Sequence, residues 1–176
     1  LEAMAASIFG KEAGLYCTSG TLANQLALNI STSPQDEVIC DKLSHIYYYE
    51  AAAPAFLSGI SLRMIEGDRG RLSPDDILDN LNPDSIHQPK TRLISLENTH
   101  NKGGGSVYPA GAIQKLSSIA RNNGLGVHLD GARRLLRQRK SSGDSDGNKI
   151  RPETRQDDGH GRFYFVIFST IHFCYF

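Results

Sequence analysis

The sequence predicts an α/β domain with a mostly parallel sheet and helices on both of its faces, a three-layer α/β/α arrangement. Three observations predict it. Short apolar runs bounded by turn residues recur from GLYC through EVICD, SLRMIE and RLISLEN to GVHLD. Stretches with helical spacing of apolar residues fall between these runs, and strands that alternate with helices form parallel sheets rather than hairpins. The chain has 176 residues, the size of one ordinary domain or of part of one.

Taken in order, LEAMAASIF reads as a helix, GLYC (14–17) as a short strand, and TLANQLALNI (21–30) as a second helix with Leu22, Leu26 and Ile30 on one face. EVICD (37–41) is a strand, IYYYEAAAPAF (46–56) fits neither period cleanly, and SLRMIE (61–66) is a strand. SPDDILDNL (73–81) is a helix capped by Ser73 with Pro74 at its first position. RLISLEN (92–98) is a strand, PAGAIQKLSSIARNNG (109–124) a helix closed by Gly124, and GVHLD (126–130) the last strand of the pattern. From Arg134 the text turns polar and charged, so residues 1–133 are expected to form the domain and 134–176 a disordered tail. That tail divides into a linker, 134–162, and an aromatic terminus, 163–176, which is expected to be an aggregation hazard if nothing covers it.

Composition excludes several classes. Nineteen basic and nineteen acidic residues give a formal net charge of zero, so no overall field attracts nucleic acid or an anionic membrane. Cys17, Cys40 and Cys174 show no CxxC spacing, which argues against a disulfide framework and a structural zinc site and for a reducing, cytoplasmic setting. The opening segment lacks a basic n-region, and the apolar run Phe163 to Phe176 is too short to cross a bilayer as a helix. A soluble protein is expected.

Four segments could carry chemistry. In CTSGTLANQLAL a strand ends, a small-residue turn follows at Thr18, Ser19 and Gly20, and a helix begins at Thr21. Free amides and the helix dipole there suit a phosphate, whereas the plainer alternative is an N-cap made by Ser19 or Thr21. In HLDGAR, His128 and Asp130 lie two apart on a strand and share a face. Asp130 suits a cationic ring nitrogen, the pair suits a metal only with a third ligand that nothing nearby supplies, and both also suit ordinary strand-end polar roles. In DKLSHIYYYE, His45 follows a strand and is placed to stack on a flat ligand or to move a proton, or is simply a half-buried histidine. In SLENTHNKGGGSVYP, a strand runs into a loop with Asn98, His100, Asn101 and three glycines that permit close backbone approach or merely a flexible turn. A doubly wound sheet brings such strand ends to one rim.

TSGTLANQLAL, SHIYYYEAAAPAFLSG, LENTHNKGGGSVYP and HLDGAR, in this order, resemble the threonine aldolases, pyridoxal 5'-phosphate (PLP) lyases of the aromatic amino acid beta-eliminating lyase and threonine aldolase group. The resemblance covers residues 1 to about 133. It implies a partial PLP-dependent transferase-like large domain that cleaves L-threonine and L-allo-threonine to glycine and acetaldehyde in amino acid metabolism, within a homo-oligomer that is a dimer of dimers. It implies that Ser19, Gly20 and Thr21 hold the cofactor phosphate and that His45 stacks on the ring and takes the hydroxyl proton. Asp130 would pair with the ring nitrogen and Arg133 with the substrate carboxylate, while His100 and Glu50 would lie near the substrate hydroxyl or near His45. No metal is implied. The family's Schiff-base lysine should follow HLDGAR in a serine- and glycine-rich turn, but only Lys140 and Lys149 follow, both in linker-like text. The abrupt loss of pattern after Arg133 is what a translated intron or a shifted frame would produce. The alternative expectation is therefore a non-catalytic product that binds PLP weakly or docks on a full-length subunit.

Overall fold

Each of the five apolar runs forms a strand in the computed structural model, which describes residues 1–8, 11–131, 165–168 and 172–175. Helix α1 spans Glu2–Ile8 and strand β1 spans Ala13–Tyr16, followed by α2 (Gly20–Ser31) and β2 (Glu37–Asp41). Then come α3 (His45–Tyr48), α4 (Ala53–Ser58), β3 (Ser61–Ile65), α5 (Pro74–Leu78), β4 (Thr91–Glu97), α6 (Ala112–Asn122) and β5 (Gly126–Asp130). Two further strands, β6 (Phe165–Phe168) and β7 (His172–Tyr175), follow. Among the described residues they form one sheet of seven strands in the order β1-β6-β7-β5-β4-β2-β3. All neighbours pair in parallel except β7, which runs antiparallel to both β5 and β6.

Both faces of the sheet are covered, which is why its central strands β2, β4 and β5 are buried nearly throughout rather than alternating. All five residues of β2 are buried. Val38 and Cys40 face one way and pack with Leu28 of α2, Ile46 of α3, Ile60 and Leu93. Ile39 faces the other way and joins Ile94, Leu96, Val127 and Leu129 against Ile77 of α5 and Leu116 and Ala120 of α6. This is the expected three-layer α/β/α arrangement.

The ambiguous segment 46–56 resolves into two short helices. Ala51 and Ala52 adopt left-handed backbone angles between them (φ 49° and 59°), and this break turns Glu50 into the interior, where it is 3% exposed. Helix α5 ends at Leu78, earlier than expected, and Asn82 beyond it is drawn off to Glu37 Oε1 (3.0 Å) and the Pro89 carbonyl (2.9 Å). Its start is a capping box: the Asp76 amide donates to Ser73 Oγ (3.2 Å) and the Ser73 amide to Asp76 Oδ2 (2.7 Å). Ser73→Ala removes one of these bonds and is expected to cost about 1 kcal/mol. A urea titration should show a lower midpoint with unchanged slope, and an unchanged midpoint would refute the assignment.

Leu22, Leu26 and Ile30 share a face of α2, and of the three Leu26 packs against the cluster of Cys17, Ala23 and Ala27, whereas Leu22 is 41% and Ile30 56% exposed; Ala23, Asn24, Gln25, Ala27 and Leu28 are buried. Small alanines let the helix approach the sheet closely, and the two amides are buried because polar partners await them, as described below. Strands β6 and β7 lie in the aromatic terminus, with β6 in register beside β1 and β7 beside β5. Sheet pairing gives their backbone groups partners that a free tail lacks. The linker expectation for 134–162 lies outside the described residues.

Candidate active site

Because β1, β2, β4 and β5 run parallel, their carboxyl ends share one rim, and the singled-out residues Ser19, His45, Asn98, His100 and Asp130 all follow or end these strands. Helix α2 begins there one residue earlier than expected, at Gly20. Ser19 is its N-cap and accepts a hydrogen bond from the Leu22 amide at 3.1 Å. The plain capping role is therefore real, and it leaves the first-turn amides of Gly20 and Thr21 directed out of the helix end without intrahelical acceptors. Those two half-buried residues are where an anion would sit.

At the end of β5, His128 and Asp130 do share a face, and both meet Asn24 of α2. His128 Nε2 lies 2.9 Å from Asn24 Oδ1, and Asn24 Nδ2 donates to Asp130 Oδ2 at 3.2 Å. The same Nδ2 donates to Glu50 Oε1 at 2.8 Å, and Gln25 Nε2 donates to Glu50 Oε2 at 2.6 Å. Glu50 Oε1 also lies 2.8 Å from His45 Nδ1. The Glu50 side chain is wholly buried and that of His45 is 32% exposed, so the pair spans the boundary between interior and rim. The hydrogen bond to Glu50 raises the His45 pKa most, burial opposes it, and the charges of Glu50, Asp130 and Glu97 raise it further. The Tyr49 ring lies 5.3 Å from the His45 ring, centroid to centroid.

His100 is fully buried. Its Nδ1 accepts from the Gly103 amide at 3.0 Å, which leaves the ring proton on Nε2 when the ring is neutral. Nε2 faces Asp41 Oδ1 (3.5 Å) and Glu97 Oε2 (3.7 Å) without a hydrogen bond. Glu97 ties the rim together: Oε2 accepts from the His45 amide (3.0 Å) and Oε1 from the Asn101 amide (2.8 Å). Among the described residues, no group of three or more His, Cys, Asp or Glu side chains could hold a metal ion.

The structure thus brings His45, Glu50 and Asp130 into one network and places His100 beside it, behind Asp41 and Glu97. Arg133, Lys140 and Lys149 lie outside the described residues. Asn24, Gln25, Asp41 and Glu97 went unnoticed in the sequence. For Asn24 a signal existed, since asparagine is a weak helix former and here it lies inside a helix.

An implied PLP can be tested against these groups. Buried polar atoms without partners on or beside the rim are Gln25 Oε1, Asn98 Oδ1 and His100 Nε2, and such atoms are expected beside a polar ligand. A buried carboxylate at the end of β5, open amides at the start of α2 and a half-exposed imidazole suit a pyridinium nitrogen, a phosphate and an aromatic ring face respectively. The residues fit the group.

The beta-eliminating lyase family matches residues 1–137. A low specificity L-threonine aldolase of Saccharomyces cerevisiae is 41% identical over 137 residues, covering 76% of this chain and 35% of that protein. The low specificity L-threonine aldolase of Escherichia coli K12 is 37% identical over 134 residues, with 76% and 39% covered. The structure of the Leishmania major threonine aldolase superposes with a TM-score of 0.61 at 28% identity, covering 66% of this chain and 33% of that one. The chain spans little more than a third of the length of these curated relatives.

Proposed function

This chain belongs to the beta-eliminating lyase family, and from that membership we propose that its rim is the cofactor cradle of a PLP-dependent aldehyde-lyase that cleaves L-threonine and L-allo-threonine to glycine and acetaldehyde. The observation that carries the reading is the continuous network from Asp130 through Asn24 and Glu50 to His45. It joins a carboxylate suited to a ring nitrogen to an imidazole suited to a proton.

Bound there, PLP would supply an electron-accepting ring. The Gly20 and Thr21 amides and the Thr21 hydroxyl would hold its phosphate at the positive end of α2. Asp130, kept in place by Asn24, would hold the ring nitrogen protonated by offering it an anionic acceptor. His45 is committed at Nδ1 to Glu50, so Nε2 is the atom that would accept the substrate hydroxyl proton. Glu50 raises the basicity of that nitrogen, as a carboxylate behind a catalytic imidazole does. Arg133 would clamp the substrate carboxylate in a charge-assisted pair.

A second reading, in which this chain alone binds the cofactor without cleaving substrate, is favoured by the lysines that follow HLDGAR, since only Lys140 and Lys149 do and both stand in charged, linker-like text. A PLP titration of the 176-residue chain, followed by borohydride reduction and mass mapping, tests both readings. Saturable binding that weakens at least tenfold, about 1.4 kcal/mol, in Asp130→Asn is expected. Equal binding by the variant, with label scattered over surface lysines, would overturn the cradle. Acetaldehyde released from threonine well above the rate with free PLP, with an adduct at Lys140 or Lys149, selects the complete catalyst. Binding without turnover selects the second reading.

A further inference from the structure

We propose that Asn24 is a positioning residue that keeps the two buried carboxylates of the site, Glu50 and Asp130, side by side as acceptors and so couples the proton on His45 to the carboxylate intended for the cofactor nitrogen. This rests on the cradle proposed above, although its test reads protons rather than turnover or cofactor binding.

The inference follows from the use made of one carboxamide. Asn24 is fully buried, and each of its polar atoms has a partner. Nδ2 donates to Glu50 Oε1 (2.8 Å) and Asp130 Oδ2 (3.2 Å), while Oδ1 meets His128 Nε2 (2.9 Å). The orientation of the amide is set by chemistry, because turning it over would press Oδ1 against two carboxylate oxygens. In this orientation Oδ1 is an acceptor, so His128 must carry a proton on Nε2. A single NH2 group therefore stands between two carboxylates. Removing its two donors would leave the Glu50 and Asp130 carboxylates in the interior without the group that bridges them and partly neutralises both.

The consequence would fall on His45, whose protonated form these carboxylates support. Glu50 Oε1 is shared by Asn24 Nδ2 and His45 Nδ1, so only one amide group separates the oxygen that supports His45 from Asp130 Oδ2. The charged groups facing His45 come from three elements: Glu50 after α3, Glu97 at the end of β4, and Asp130 at the end of β5. Behind Glu97 stand His100 and Asp41. Asn24 touches two of the three carboxylates directly and faces no solvent, so it does more than fill space.

Heteronuclear NMR on the full chain tests this, with His45, His128 and Asn24 assigned through single substitutions. In the unsubstituted protein the Asn24 side-chain amide resonances should titrate with the His45 midpoint. Those of Asn29, which lies on the same helix as Asn24 and bonds to the Leu57 carbonyl and Ser58 of α4, should stay flat. His128 should show its proton on Nε2. In Asn24→Leu, similar in volume and without donors, the proton affinity of His45 should rise at least tenfold, because the two carboxylates that face it lose a neutralising donor, and the Nε2 preference of His128 should be lost. A flat Asn24 amide through the His45 titration, or an unchanged His45 midpoint in a folded Asn24→Leu chain, would overturn the proposal. If Asn24→Leu does not fold, the titration of the unsubstituted amide decides. A failed cofactor titration together with coupled His45 and Asn24 shifts would reject the cradle and keep the coupling.

Discussion

Glu50→Ala is expected to destabilise the protein by about 3 kcal/mol, near the lower end of the range for breaking a buried charged pair because His45 is partly solvated. The substitution removes one side chain and takes a partner from three others. Gln25 loses its acceptor at 2.6 Å, Asn24 the nearer of its two at 2.8 Å, and His45 its Nδ1 partner at 2.8 Å. A domain of this size has only about 5–15 kcal/mol to lose. The deficit should also depend on pH, in a direction set by His45. Its folded pKa is raised above the unfolded value of about 6.5. The His45–Glu50 contribution is therefore fully present below that unfolded value and is lost as pH rises through the raised folded value. Urea titrations of the two proteins at intervals from about pH 6 to pH 9 should show the gap narrowing as pH rises. A gap that is constant or widens would show that His45 does not lean on Glu50.

Gly103→Ala should cost about 3 kcal/mol, at the top of the usual range for overpacking. A Cβ built on Gly103 falls 1.9 Å from the Arg69 carbonyl oxygen and 2.8 Å from its carbon. Both are backbone atoms, held because Ser106 Oγ donates to that same carbonyl at 2.6 Å, so the neighbour cannot give way cheaply. The strain would also displace the Gly103 amide, which fixes His100 by donating to its Nδ1. The opposite wall of His100 is equally tight, since a Cβ at Gly70 would lie 2.3 Å from the ring. Gly105→Ala is the control. Nothing lies within 4 Å of its Cβ, and only its φ of +71° resists a side chain, at a cost of about 1 kcal/mol. If the two alanine variants unfold at the same urea midpoint, the close packing of the 67–71 and 100–107 loops around His100 is refuted.

Parts of the site were legible in the sequence for a definite reason. Ser19, His45, His100 and Asp130 sit in or just after strand-ending motifs, and parallel topology guarantees that such ends meet. Asn24, Gln25 and Glu97 were not legible in this way. Glu97 works by accepting from two backbone amides, His45 and Asn101, and that depends on loop paths a pattern of residue types does not encode. Asn24 joins residues 26 and 106 positions away along the chain, pairings that no local spacing carries. Leu22 and Ile30 lie outward because the inward face satisfies Glu50, Asp130 and His128 while its alanines allow close approach.

By itself the sequence determined the layered α/β architecture, since the spacing of apolar residues decides whether a segment buries one stripe as a helix or two faces as a strand. It determined the family as well, through four motifs in order. Only the tertiary structure decided that β7 runs against its neighbours, that the aromatic terminus joins the sheet, and which face of α2 is buried. It alone joined Asp130 to His45 through Asn24. The physical reason is the same for each. Local patterns report what a segment gains by leaving water, whereas strand pairing and buried hydrogen bonds depend on which distant partner arrives, and an unpartnered buried polar group is costly enough to override a helix's own apolar stripe.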